Sequence, residues 1–570
     1  MRANLESIQK SDCRGTAANC QLKRAKMYDV IPVRCRYGDS MRKMFLSVSG
    51  FVLCFALATS VHAADRRIRV AEYRDKVYGA WAGQIVGASY GFNFEGQARN
   101  VIALDHFIND YDAALVDDDY YYEMVALYGF ERFGTDMTVE QLGEMWKEYR
   151  AGTWGSSEQA RLLLERGIKA PDTGSPRYNR WFHTIGPQFS SDIYGMITPG
   201  MINLAGATAR KYSHINGYAE GSDGAVFVAA CISEAFFEKN PAKIVRQAAQ
   251  LIDLRSNYRK AIDFVLTSYG QGKPWQQIAA ESEARWRPEY PQLNNSVANG
   301  ALVALGILFG EGDYLKSINI VTRTGDFTDA DCNAANVASV VGAMRGFNVL
   351  PAQLLEPLHN RVYGDHMGPL NLGRTIDERI DDLARRVADM GVKRLLANGA
   401  RLNGDTLIIP RETVVTQPLE YFDINDYGQL WNPEWRLDNA SRGGEGATYL
   451  EENVLVTFPR GTRPCMLERT LRIPSSTSRL HLEIGSLKYR SWRMQVFVDD
   501  DNLKTEIIGA EETINAKEVP PNAAFAVPNW TTMDIELSKY SGKTVQLRLY
   551  QWLVPNSIPG AAYWRSANVE

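Results

Sequence analysis

Between residues 66 and 410 the apolar positions recur at intervals of three and four, as in YRDKVYGAWAGQIVGASYG, TVEQLGEMWKEYRAG, GAVFVAACISEAFFEKN, NPAKIVRQAAQLIDL and TIDERIDDLARRVADMG. That period is one face of an α-helix, so each stretch predicts a helix. Start signals accompany two of them: Thr138 stands three residues ahead of Gln141, and Asn240-Pro241 opens an apolar stripe. In the first stretch Gly79, Gly83, Gly87 and Gly91 repeat at four-residue spacing and leave a bare helix face that another helix can approach closely. Beyond about residue 415 the texture changes. NVLVTF, RLHLEIG, WRMQVFVDD, TMDIEL and TVQLRLY alternate apolar and polar residues between Gly, Pro, Asn and Asp turns, the pattern of short half-buried strands. The expectation is a multidomain α and β chain: an all-α bundle over 66–410, then a β-sandwich over 415–570.

Composition bounds what such a chain does. With 570 residues, 45% hydrophobic, it can build more than one sizeable core. A formal net charge of -4 provides no basic footprint for nucleic acid, and no stretch of the expected mature chain is apolar enough to span a bilayer. Small-molecule or carbohydrate partners fit better. From Met41 the chain reads MRKMFLSVSGFVLCFALATSVHAAD: a basic start at Arg42 and Lys43, an apolar run from Phe45 to Ala58, and Val61-His62-Ala63 before a cut. This predicts a signal peptide over residues 41–64, a non-native extension over 1–40, and a secreted or periplasmic protein. After that cut only Cys231, Cys332 and Cys465 remain, scattered and without a CxxC or paired His, so each is expected as a small buried apolar residue.

The candidate chemistry lies in two acidic runs about 210 residues apart, VDDDYYYEMVAL (116–127) and TGDFTDADCNAANVASVVGA (324–343). Each places carboxylates at a helix start, where the helix dipole and a bound cation both stabilise negative charge. Taken singly, each Asp serves equally well as an N-cap or a solvated turn. If the two starts meet, Asp117, Asp118, Asp119, Asp329 and Asp331 converge, and a donor set that is nearly all oxygen favours Mg2+, Ca2+ or Mn2+ over zinc.

Three separated pieces resemble the ADP-ribosylglycohydrolase family: GAWAGQIVGASYGFNFEG (79–96), VDDDYYYEMVAL and DADCNAANVASVVGA (329–343). The resemblance covers about residues 70–400 and implies an orthogonal helical bundle with a two-metal cleft, usually holding Mg2+. It carries metal ligation onto Asp117, Asp118, Asp119, Asp329 and Asp331, and a base or water-positioning role onto Glu95. Asp192 lies where relatives tend to carry an acidic residue, and is the candidate general acid. His214, Tyr120, Trp181, Asn333 and Asp326 are candidate substrate contacts. The chain departs from the family where Cys332 replaces a common Thr and where Ala88 follows Gly87. The ending WTTMDIELSKYSGKTVQLRLYQW resembles a galactose-binding-like jelly roll. Together these imply a secreted metal-dependent glycoside hydrolase, with a furanoside among its candidate substrates. The alternatives are release of ADP-ribose from a modified acceptor, or an inactive carbohydrate-binding protein.

Overall fold

The four-glycine helix, Val70–Gly91, lies backbone to backbone against a second helix, Ala330–Arg345, in the computed structural model. A methyl group on Gly83 would sit 2.9 Å from the Ala338 carbonyl oxygen, and one on Gly87 would sit 2.6 Å from that of Ala334. A methyl on Gly91 would collide with the Cα of Asp331, and one on Gly342 with the Gly79 carbonyl. Glycine in a helix interior costs about 1 kcal/mol relative to alanine, and contact between the two backbones offsets it here. The structure describes residues 64–570 apart from 327, 443–447, 451–452, 477, 510–527 and 556; the expected extension and nearly all of the expected signal peptide lie outside them.

Around this pair the helices sort by how apolar they are. Ala330 through Met344 are all buried, as is every residue of Glu220–Ala235, so these helices form the centre and are covered on all sides. Val139–Glu148 and Pro241–Gln250 bury one stripe each and sit outside. Their expected starts are present: Thr138 and Gln141 form a reciprocal capping box, and the Asn240 side chain accepts from the Lys243 amide. Among the described residues no helix is long and apolar enough to cross a membrane.

The helical part is not purely helical. Arg66–Arg69 pairs antiparallel with Thr406–Ile409, which pairs with Arg401–Asn403, so a small sheet ties the start of the domain to its end. Arg361–Met367 and Leu370–Arg379 form a hairpin, and the helix expected from Thr375 begins only at Ile380. The reason is pairing outside the helical window: Ile376–Arg379 pair with Arg361–Gly364, the preceding arm of the hairpin, and the three-and-four periodicity of the stretch carries no trace of that.

The C-terminal part is a β-rich domain of two five-stranded antiparallel sheets. One runs in the order Thr448–Leu450, Val454–Thr457, Ala562–Val569, Arg479–Ser486, Asn529–Glu536. The other runs Arg436–Asp438, Cys465–Arg472, Thr544–Leu553, Ser491–Val498, Asp501–Gly509. Alternate residues point inward as expected, with Leu480, Leu482 and Ile484 of one sheet in a common core with Met494, Val496 and Leu547 of the other. Trp492 and Trp564 meet across it with ring centroids 5.2 Å apart.

A buried ion-pair seam holds the sheets to the helices. The Arg442 amide donates to the Glu289 carbonyl at 2.8 Å, and its guanidinium lies 3.2 Å from the Glu289 carboxylate and 3.5 Å from Glu220. Arg460 reaches the other Glu289 oxygen at 2.6 Å. Nearby, Glu420 accepts from the Ala219 amide at 3.0 Å and pairs with Arg210 at 3.1 Å.

Replacing Gly87 with Leu, which overpacks the backbone contact, is expected to lower the free energy of unfolding by about 2 to 3 kcal/mol in urea titrations. Gly270→Ala, in a helix where an added methyl meets nothing within 4 Å, is expected to be neutral or to stabilise by about 0.5 to 1 kcal/mol.

Candidate functional site

The close helix contact delivers its consequence at Gly91, where the glycine helix ends over Asp331. The chain turns through the short 3-10 helix Phe92–Phe94 to Glu95, then runs alongside the segment that leads into the second acidic helix. The Gly96 amide donates to the Thr328 carbonyl at 3.0 Å, and the Arg99 amide to the Asp326 carboxylate at 3.1 Å. A charged clamp closes the far end. Arg99 donates through Nε to the Thr324 carbonyl at 2.9 Å and pairs with Glu283, whose carboxylate accepts the Asp326 amide at 2.7 Å and lies 3.4 Å from Arg287. Glu95 and Asp329 are thus held on two neighbouring, mutually bonded segments.

Two overlapping groups of ligand atoms result. Glu95, Asp329 and Asp331 each offer a carboxylate oxygen, all within 4.8 Å of one another; Asp119, Asp331 and Cys332 do the same with two oxygens and a sulfur. Asp331 belongs to both. Asp119 comes from the first turn of Asp118–Phe133, whose N-cap Asp117 accepts the Asp119 amide at 3.2 Å. Gln84 of the glycine helix donates to the Asp119 carbonyl at 2.9 Å and fixes that turn in place. On the other side Asn299 accepts from the Asp329 amide at 3.3 Å and from Asn333 Nδ2 at 2.7 Å, which sets the start of Ala330–Arg345.

These carboxylates are poorly compensated. Two like charges at such separations repel by about 3 to 4 kcal/mol at an effective dielectric of about 20, and a helix N-terminus returns only about 0.3 to 1 kcal/mol. Asp119 is 0% exposed, and neither of its carboxylate oxygens has a hydrogen-bond partner among the described residues. Burial, reinforced by the charges of Asp117, Asp331 and Asp118, pushes its carboxyl well above the usual range. Asp329 is raised in the same way by burial, then by Asp331 and Glu95. A buried carboxylate with orphaned oxygens facing further carboxylates fits a divalent cation, which would supply the missing partner. Asp117 and Asp118 are half-buried at the same helix start, and their charges act on Asp119.

The remaining expected residues fall elsewhere. Asp192 is 0% exposed; its carboxylate accepts from Asn336 Nδ2 at 2.9 Å, and its amide donates to Glu123 at 2.6 Å. Glu123 lies one turn beyond Asp119 and Asn336 one turn beyond Cys332, so Asp192 sits a layer beneath the cluster, where a general acid would have no access to substrate. Tyr120 is buried, with its hydroxyl spent on the Leu115 carbonyl, and offers substrate no free face. His214 pairs with Glu420 at 2.8 Å, on the segment leading into the sheets. Trp181 carries the Arg180 guanidinium 5.0 Å over its ring. Asn333 is buried behind Asp329, and Asp326 belongs to the clamp.

Sequence reasoning passed over Glu123, Gln84, Asn299 and the Arg99–Glu283–Arg287 clamp. The spacings Asp119–Glu123 and Cys332–Asn336 place each pair on one helix face and were a usable signal. The clamp had none, because its members are joined only by folding.

No curated protein matches the chain at a significant level. Among solved structures, a chain of an ADP-ribosylglycohydrolase-related protein complex is 18% identical over 56% of this chain and 99% of its own, with a TM-score of 0.36. A 4-O-methyl-α-glucuronidase with specificity for decorated arabinogalactans is 9% identical over 65% of this chain and 42% of its own, with a TM-score of 0.16. The family match is of another kind: it covers residues 69–394, which contain the glycine helix, both acidic helix starts and the clamp. The chain belongs to the ADP-ribosylglycohydrolase family.

Proposed function

We propose that this protein is a secreted, metal-dependent glycoside hydrolase, with Mg2+ as the resident cation and Ca2+ or Mn2+ as substitutes. The observation that carries this reading is the meeting of Glu95, Asp329, Asp331 and Asp119 from three separate segments around one largely buried acidic centre. Asp119, Asp329 and Asp331 would hold the cation, with Asp117 and Asp118 beside them. When bound, it supplies Lewis-acid stabilisation of developing negative charge. The chain's own groups do the rest. Glu95 is half-buried at the end of its segment, so it meets both solvent and the cluster, and it takes the proton of the attacking water. The anionic centre favours the positive charge that builds at the anomeric carbon as the glycosidic bond breaks. Export, expected from the apolar run after Met41, and an appended galactose-binding-like sandwich favour an external glycan.

A second reading, release of ADP-ribose from a modified acceptor, has one observation in its favour. The partly exposed guanidinium groups of Arg99 and Arg287 stand three to four residues along the chain from the Glu95 turn or beside the segment leading to Asp329. Both are shared with Glu283, and Asp326 adjoins them, so the patch is close to neutral and weak as a diphosphate site. Furanosides, pyranosides, ADP-ribosyl-arginine and ADP-ribosyl-serine, each incubated with and without EDTA, separate the two readings. Chelator-sensitive turnover is expected on a glycoside; turnover only on the ADP-ribosyl compounds would replace the first reading with the second.

Replacing Asp329 and Asp331 together with Ala is expected to abolish divalent binding in calorimetry, and unchanged binding would reject the proposed ligands. The pH dependence of the metal-free protein tests the electrostatics. A carboxyl raised on folding binds more protons in the native state than in the unfolded chain, so its contribution to stability is greatest at low pH. That contribution falls as pH climbs from the ordinary carboxyl value, about 4, through the raised native values. In EDTA the melting temperature is expected to carry this declining component, and Asp119→Asn is expected to reduce it. The same variant is expected to weaken cation binding by about tenfold or more, so stability and affinity move in opposite directions.

A further inference from the structure

We propose that the inner half of the centre, Asp119, Asp331 and Cys332, is a mixed oxygen and sulfur position that selects a borderline-soft divalent cation of the Co2+ or Zn2+ class. The outer half, Glu95, Asp329 and Asp331, then takes a hard ion. This rests on the functional reading above and gives its two halves different chemistry.

Three observations carry it. The Cys332 sulfur lies within 4.8 Å of ligand oxygens of both Asp119 and Asp331. Both Asp119 oxygens are buried and meet no hydrogen-bond partner of ordinary geometry among the described residues, and the one donor beside them is the weak Cys332 thiol; oxygens and sulfur facing one another in this way are a donor set that a cation would join. Cys332 is held by its place in the helix, in the first turn after Asp329, with its amide donating to the Asp331 carboxylate at 3.0 Å. The other described cysteines are different: Cys231 lies in the centre of an apolar helix and Cys465 in the sandwich, and neither joins a group of ligand atoms among the described residues. A hydroxyl at position 332 would leave an oxygen set suited to Mg2+. A sulfur shifts preference towards cations that bind thiolate, and a coordinating thiol gives up its proton to solvent on binding.

Cobalt(II) serves as the spectroscopic probe, with the full chain compared against Cys332→Ser and against Cys332→Thr in case the first folds poorly. The wild type is expected to show a near-ultraviolet thiolate-to-cobalt charge-transfer band that both variants lack and that Cys231→Ser retains. Cadmium affinity is expected to drop by about tenfold or more in the variants, while magnesium affinity changes by less than about twofold. If cations bind both forms alike with no difference in the band, the sulfur position is overturned and the hydrolase reading stands. If neither magnesium nor cobalt binds the wild type, both fall.

Discussion

The contact between two helix backbones, without side chains between them, is the constraint on which the rest of this structure depends. Gly79, Gly83, Gly87 and Gly91 on one helix meet Ala334, Ala338 and Gly342 on the other. At backbone separations this short there is one way to seat the pair, so the end of the first helix has no freedom relative to the start of the second. Glu95 and Asp331 inherit that precision. A wider contact would hold the same residues on the same elements and let the acidic groups drift apart under their own repulsion.

That repulsion is a second constraint on the fold. The fold gathers carboxylates into a buried place and leaves the two oxygens of Asp119 without hydrogen-bond partners among the described residues, at a cost borne by the rest of the core. The surroundings are organised to withstand it. Gln84 holds the turn that bears Asp119, Asn299 holds the turn that bears Asp329, and the Arg99–Glu283–Arg287 clamp fixes the segment before it. None of these groups neutralises the cluster. They fix its geometry and leave its charge available, which is what a cation site requires and what a purely structural acidic patch would avoid.

Beneath the cluster Glu123, Asp192, Asn336 and Gln188 form a buried polar layer on the same helix faces, with Tyr258 closing it at 2.9 Å from Gln188. Burial raises both carboxyls, Glu123 and Asp192. The layer explains how helices that carry acidic groups at their starts still pack as core helices: most of its polar atoms are bonded to each other, Asp192 Oδ2 being left over among the described residues, before the apolar packing resumes at Ala225–Ile232. The seam of Arg442, Glu289 and Glu220 applies the same principle at the junction with the sheets, where buried charges face one another and the exposed Arg460 closes the outer side.

What local pattern carries, the sequence by itself determined: the helices, the sandwich strands, the capping box at Thr138 and the N-cap at Asn240, and the two acidic helix starts. Each rests on residues within one or two turns, where periodicity and capping chemistry act directly. Tertiary structure alone decided which candidates matter. It drew Glu95 beside Asp329 and Asp331, buried Asp192 and Tyr120 out of reach, gave His214 to Glu420, brought Cys332 beside two carboxylates, and turned Thr375–Arg379 from helix to strand. In most of these cases the deciding partner lies far outside one helical window, and the energy of a contact depends on where the chain returns rather than on which residues stand next to one another.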